Sequence, residues 1–332
     1  MNQSNERKFD DRYDEMEQAV KDNDKTITLV HPHNSQDKKS HSQRGKEDDS
    51  DRFFEDRNLG KILVDQGKLD AHDVERILDW QEKKSLFFGD AARHLKLVSE
   101  EDIKFALALQ FGYPTAHPSQ GVFSNELVAA YDPFGKQAEI FRTIRTQLTM
   151  TLADEQKVLT VVSPSEHEGR SYVAANLAVT FAQMSKQTLL IDANLRKPRQ
   201  NKIFGSTARL GLSSMLSGRI KQEELSLMSE AVPFFTHLTV LGAGAVPPNP
   251  VELFSNGRFQ SILDEVKKFF DIIIIDSPAG SYRADVQMLC SCAQNALIVA
   301  RQDHTKFNDL KDLSQMLTSM KVNVVGSIMN KF

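Results

Sequence analysis

The chain has 332 residues, enough for about two ordinary domains. Lysine and arginine number 41 against 45 aspartates and glutamates, a net charge of −4, which argues against a nucleic-acid binder held by bulk positive charge. The two cysteines, Cys290 and Cys292, are too close in sequence for a disulfide framework and point to a reducing compartment.

No apolar stretch approaches the roughly 20 residues that cross a bilayer, and the acidic start Met1–Glu17 does not read as a signal peptide. The expectation is a cytoplasmic protein that reaches the inner face of a membrane only through a partner. Residues 1–52 read as a disordered tether. Lys38–Lys46 and Glu47–Asp51 carry charge with almost nothing apolar and cannot offset chain entropy by burial. The exception is Thr26–Val30, which is expected to pair with something.

Residues 53–115 contain an internal repeat. Superposing Gly60 on Gly89, 29 residues on, also matches Leu69 with Val98, Asp70 with Ser99, Asp73 with Asp102 and Val74 with Ile103. Such a repeat is a stacked supersecondary unit. Each copy is expected to open a short helix after its glycine and to cap a second helix with Asp70 or Ser99. Val74, Ile77 and Leu78, with Ile103 and Leu107, then form apolar stripes facing the other copy. The tandem motif resembles the small N-terminal domain of type II secretion and type IV pilus ATPases. Some members of that family wrap cyclic di-GMP through an Arg-Leu-Gly opening. Here the openings are Asn58–Leu59–Gly60 and Phe87–Phe88–Gly89, so both arginines and their bidentate contacts are missing. A protein-docking module is the favoured reading, and cyclic di-GMP recognition is disfavoured.

A connector follows over residues 116–138, beside Pro114 and punctuated by Pro118 and Pro133. From 139 to 332 the pattern changes. Val158–Val162, Thr188–Ile191, Leu238–Leu241, Ile272–Ile275, Ala296–Val299 and Val322–Val325 are near-continuous apolar runs. Strands buried on both faces read this way, which predicts a doubly wound, mainly parallel α/β domain. The first run ends in Ser163–Pro164–Ser165–Glu166–His167–Glu168–Gly169–Arg170–Ser171, ahead of a helical pattern. Strand, tight loop and helix N-terminus make an anion cradle. Gly169 and Ser171 match a P-loop, while Pro164 and Arg170 stand where its first glycine and its lysine belong. Asp192 and Asp276 close two later runs, at the strand edge where a Mg-nucleotide site in such a sheet lies.

These residues resemble the bacterial tyrosine kinases of capsule and exopolysaccharide synthesis. Glu166–Ser171 corresponds to their Walker A loop, Asp192–Pro198 to their Asp-x-Asp-Leu-Arg-x-Pro motif, and Asp276 to their Walker B aspartate. Glu139, Arg142 and Arg145 match the Glu-x-x-Arg-x-x-Arg helix through which those kinases pack into rings. Leu210–Gly218 and Gly242–Leu253 match two further family segments, which separate these kinases from partitioning ATPases. The resemblance implies ATP and Mg²⁺ as cofactors. Glu168, Gly169, Arg170, Ser171, Tyr172 and Arg196 would hold the nucleotide, and Ser171, Asp192 and Asp276 the metal. Asp192, Arg170 and Asp276 would be catalytic, with Asp192 activating a tyrosine hydroxyl. It also implies a homo-oligomer and a membrane chain-length determinant, the polysaccharide co-polymerase, as partner.

Four departures keep a second reading open, a nucleotide-responsive scaffold without useful turnover. Arg170 replaces the lysine, and Asn194 replaces the second aspartate of the Asp-x-Asp pair. His167 fills a glycine position, where its side chain is expected to crowd the loop. The five tyrosines form no terminal cluster. His31, His33 and His41 read as solvated tether residues, and the two cysteines as core fillers.

Overall fold

The computed structural model describes residues 28–30, 59–152, 157–219 and 229–331. Apart from Thr28–Val30, the tether expected over residues 1–52 lies outside them. The described chain divides into a smaller unit, within Asn34–Gly121 with Ala130–Phe134, and a larger one holding Val122–Ala129 and most of Gly135–Phe332.

The smaller unit is built on the repeat. Helix α1 covers residues 59–65, followed by α2 (Ala71–Lys84), α3 (Phe88–His94) and α4 (Glu100–Gln110). Helices α2 and α4 both start with a reciprocal cap. Asp70 accepts from the Asp73 amide at 2.7 Å and Ser99 Oγ from the Asp102 amide at 3.1 Å. In return Asp73 and Asp102 accept from the Asp70 and Ser99 amides, so first-turn donors are satisfied in both copies. The repeat glycines lie inside the first turn of their helices rather than before them. A Cβ on Gly60 would stand 3.1 Å from the Phe88 ring, and one on Gly89 3.2 Å from Ile103. Close packing, and not turn geometry, asks for glycine there. Leu59, Leu63, Ile77, Phe88 and Ala106 share one buried cluster.

Asp102 is the polar hub of this unit. Its carboxylate accepts from Lys68 Nζ at 2.7 Å, Ser99 Oγ at 2.6 Å and His117 Nε2 at 3.2 Å. Burial pushes its pKa up, but the bonds from Lys68 and Ser99 outweigh burial and hold the carboxyl well below the usual carboxylate range. A depressed folded-state pKa stabilises above the unfolded value near 4 and is lost as pH falls through the folded one. Asp102→Ala is therefore expected to cost about 2–3 kcal/mol at neutral pH, and much less near pH 2. Urea unfolding followed by the fluorescence of Trp80, the single tryptophan, checks both.

Among the described residues the larger unit holds eight strands: β1 (Thr28–Val30), β2 (Val158–Val162), β3 (Thr188–Asp192), β4 (Ser229–Val232), β5 (Phe235–Leu241), β6 (Ile272–Asp276), β7 (Asn295–Arg301) and β8 (Asn323–Asn330). Their order is β1-β8-β7-β2-β6-β3-β5-β4. The six inner strands are parallel, and the two outer ones, β1 on β8 and β4 on β5, are antiparallel. Every residue of β2, β3 and β6 is buried, as expected where helices cover both faces. All six predicted runs became strands, and Thr28–Val30 pairs at one edge. The unpredicted β4 is the other edge.

After the short helix α5 (Val128–Tyr131), which straddles the division, helices complete the layers: α6 (Lys136–Thr151), α7 (Arg170–Ala182), α8 (Gln200–Phe204), α9 (Leu212–Leu216), α10 (Pro250–Ser255), α11 (Arg258–Val266), α12 (Arg283–Ala293) and α13 (Phe307–Ser319). Leu189, Ile191, Ile273 and Ile275 pack with Phe254, Phe259 and Leu263 of α10 and α11. Ile298 and Ala300 pack with Val286 and Cys290 of α12 and Leu310 and Leu317 of α13. Burial pushes the Cys290 thiol up to about 12, which makes it an inert core group. The architecture is the doubly wound, mainly parallel α/β sheet of P-loop proteins. Among the described residues no helix is long and apolar enough to cross a membrane.

Candidate active site

The loop between β2 and α7 is closed by its own side chains. Glu168, fully buried, accepts from the Ser165 amide at 2.7 Å and from Thr305 Oγ1 at 2.5 Å. Its carbonyl accepts from Asn330 Nδ2 at 3.2 Å, so the last strand braces the loop. Gly169 turns the chain into α7 with φ +96, and no side chain among the described residues caps that helix. First-turn amides without a cap are what an anion needs. His167 adopts φ +63 with its side chain 80% exposed. The expected crowding is therefore absent: the ring points into solvent, at a backbone cost of about 1 kcal/mol.

Arg170 is turned into the loop. Nε donates to the Ser277 carbonyl at 3.1 Å, and Nη1 to the Ser165 carbonyl at 2.6 Å and to Ser163 Oγ. Burial lowers its pKa, opposed by Asp276, Glu168 and Glu166. Gly280 closes the far side. A Cβ there would come within 2.9 Å of the Ser163 carbonyl, which already accepts from the Gly280 amide at 2.7 Å.

Asp192 and Asp276 are lateral neighbours at the ends of β3 and β6, and neither is exposed. Asp192 Oδ2 accepts from the Arg199 and Gln200 amides, both at 2.9 Å, and Oδ1 from the Asn194 amide at 3.2 Å. Burial raises the Asp192 pKa and the neighbouring Asp276 raises it further. Burial raises that of Asp276 too, with the Ser171 hydroxyl and Arg170 opposing. Asp276 Oδ1 is buried without a hydrogen-bond partner among the described residues. A partnerless carboxylate oxygen beside a hydroxyl is a hard oxygen donor set that suits Mg²⁺.

The remaining sequence candidates fall around this centre. Arg196 makes a bidentate pair with Asp285 at 2.6 and 3.2 Å, and its guanidinium stacks 4.5 Å from the Tyr282 ring centroid. Tyr172 packs edge-on against Phe141 of α6, and burial pushes its phenol up to about 12. Glu139 accepts from Arg142 Nε at 2.9 Å, whereas Arg145 Nη1 donates to the Thr180 carbonyl of α7 at 2.9 Å. Asn194 donates to the Lys197 carbonyl and accepts from the Lys197 amide. An aspartate could accept there but not donate, so the substitution clasps the loop.

Sequence reading missed Gln200 and Asp285. Gln200 Nε2 donates to Asp276 Oδ2 at 2.7 Å and to the Ser171 carbonyl at 3.2 Å. Asp285 fixes Arg196 from the first turn of α12. Nothing in the local pattern marks either residue.

Comparison with known proteins agrees with this geometry. The family described as "ParA: NUBPL iron-transfer P-loop NTPase" matches residues 154–331. The tyrosine-protein kinase YwqD of Bacillus subtilis is 35% identical over 205 residues, covering 61% of this chain and 85% of that protein. The putative tyrosine-protein kinase CapB of Staphylococcus aureus is 32% identical over 195 residues, covering 58% and 84%. Among solved structures, the kinase domain of the Escherichia coli tyrosine kinase ETK superposes with a TM-score of 0.58 at 26% identity, over 62% of this chain and 79% of that one. The matched stretch carries the phosphate loop and both strand-end aspartates, and by it the chain belongs to the ParA-type P-loop NTPases and, among them, to the bacterial tyrosine-protein kinases.

Proposed function

We propose that this chain is an ATP- and Mg²⁺-dependent protein-tyrosine kinase that regulates exopolysaccharide polymerisation with a membrane chain-length determinant protein. The observation that carries the chemistry is the registered pair Asp192 and Asp276 at strand ends, next to an uncapped helix that follows Gly169. Loop amides would hold the β- and γ-phosphates, with Arg170 adding charge from behind the loop. Ser171 and Asp276 would hold Mg²⁺, which when bound supplies charge neutralisation at the phosphates. Asp192 would take the proton of the tyrosine hydroxyl as its oxygen bonds to the γ-phosphorus and the bond to the ADP oxygen breaks. In-line transfer of this kind needs mainly positioning and charge.

Glu139 on α6 has a side chain 62% exposed, which supports a role for the Glu139, Arg142 and Arg145 face in homo-oligomer assembly. The membrane partner and the cytoplasmic placement rest on the family resemblance, and the helical repeat is read as a docking module. The inward-turned Arg170 favours a second reading, a nucleotide-responsive scaffold whose output is assembly. Purified protein is incubated with Mg-ATP, with and without the cytoplasmic tail of the partner. Phosphotyrosine is the expected product, and ATP binding without any phosphotyrosine would select the scaffold.

A further inference from the structure

We propose that Gln200 is a positioning residue for the metal–nucleotide complex: it ties both strand-end aspartates to the phosphate loop and offers its carbonyl oxygen to a donor that arrives with the metal. The inference rests on the ATP- and Mg²⁺-dependent reading above. Gln200 is fully buried at the start of α8. Its peptide amide donates to Asp192 Oδ2, and its side-chain amide to Asp276 Oδ2 and the Ser171 carbonyl. One residue thus touches all three elements of the site.

The orientation of its carboxamide is fixed by chemistry. The Ser171 carbonyl can only accept, as can Asp276 when ionised, so a flipped amide would set Oε1 against two oxygens. Both Nε2 protons are then used, and Oε1 is left buried with no partner among the described residues. A buried acceptor without a donor carries a desolvation penalty of about 1–3 kcal/mol. Mg²⁺ keeps several of its waters when it binds protein and phosphate, and a metal-bound water is a donor that would satisfy such an oxygen. Gln200 also holds one oxygen of Asp276, which leaves Oδ1 for the metal side.

The test is calorimetric titration of the whole purified protein with ADP, once with Mg²⁺ and once with EDTA. Wild type is expected to bind ADP more tightly with Mg²⁺. Gln200→Leu should cut that metal-linked gain about 10–100-fold while leaving the EDTA affinity within about threefold. Gln200→Met, matched in length, carries the same expectation and serves if the leucine variant does not fold. Variants that keep the full gain, or that weaken ADP equally with and without Mg²⁺, overturn the inference and make Gln200 purely structural. A wild type that binds ADP without any metal-linked gain overturns the metal reading itself.

Discussion

Replacing Asp192 by asparagine is expected to lower phosphotyrosine formation by roughly 10²–10⁴-fold and, at the same time, to stabilise the nucleotide-free protein near neutral pH. The first effect follows from removing the group placed to accept the hydroxyl proton, a carboxyl that the charge of bound Mg²⁺ would ionise for that role. The second follows from burial. Asp192 has no exposed surface and lies in register with an equally buried Asp276, so its pKa is raised first by desolvation and then by the neighbouring charge. In the unfolded chain the same carboxyl ionises near 4. Between that value and the raised folded one, the unfolded state binds fewer protons. Stability therefore falls as pH rises through this window, by at most about 1.4 kcal/mol per pH unit for each group. Asparagine cannot ionise, so the variant should show a flatter decline from pH 5 to pH 8. Its cost is the bond from the Asn194 amide, the longest of the three at 3.2 Å. Urea midpoints at the two pH values, beside a phosphotyrosine blot, check both halves. Equal slopes in variant and wild type would show that Asp192 is ionised in the fold.

Arg170→Ala is expected to cost about 3 kcal/mol and to weaken ADP binding by about 100-fold, whereas Arg170→Lys should fall between the alanine variant and wild type. The guanidinium serves Ser163 Oγ and the carbonyls of Ser165 and Ser277 at once. Alanine leaves those acceptors unserved and removes the cation facing Asp276, Glu168 and Glu166. Lysine keeps the charge but has a compact ammonium in place of a planar fork, so it cannot reproduce all three bonds. A stability loss of about 1–2 kcal/mol with ADP affinity kept within about tenfold is expected for it. Had Arg170 acted mainly as a hand on the phosphates, lysine would bind ADP at least as tightly with no loss of stability. Thermal unfolding and ADP titration of the two variants tell these roles apart.

How far the fold was legible depended on what each element had to bury. Val158–Val162 and Ile272–Asp276 are covered on both faces, and burial of that kind writes a continuous apolar run. Ser229–Val232 pairs only with β5 at the sheet edge, needs no such run, and left none. The helical repeat was legible because both copies kept their capping residues, Asp70 with Asp73 and Ser99 with Asp102. At the site, Asp192 and Asp276 stood out by ending strand runs. Gln200 did not, since its partner Asp276 lies 76 residues further on and a single polar residue in a five-residue helix has no periodicity. Asp285, 89 residues from Arg196, was hidden for the same reason. His167 looked obstructive in one dimension only. Its left-handed backbone, φ +63, carries the ring away from the loop.

The strand order also has a consequence for the way the protein is made. β2 lies between β7 and β6, and both of those neighbours come more than a hundred residues after it in the chain. At roughly 5–20 residues per second on the ribosome, its apolar stretch waits on the order of 6–23 s for a first partner. The unit that holds the helical repeat ends at residue 134, so all of it is translated before β2 is. The nascent chain thus carries one finished module while its central strand is still unpaired, and chaperone demand should concentrate on the second half of synthesis.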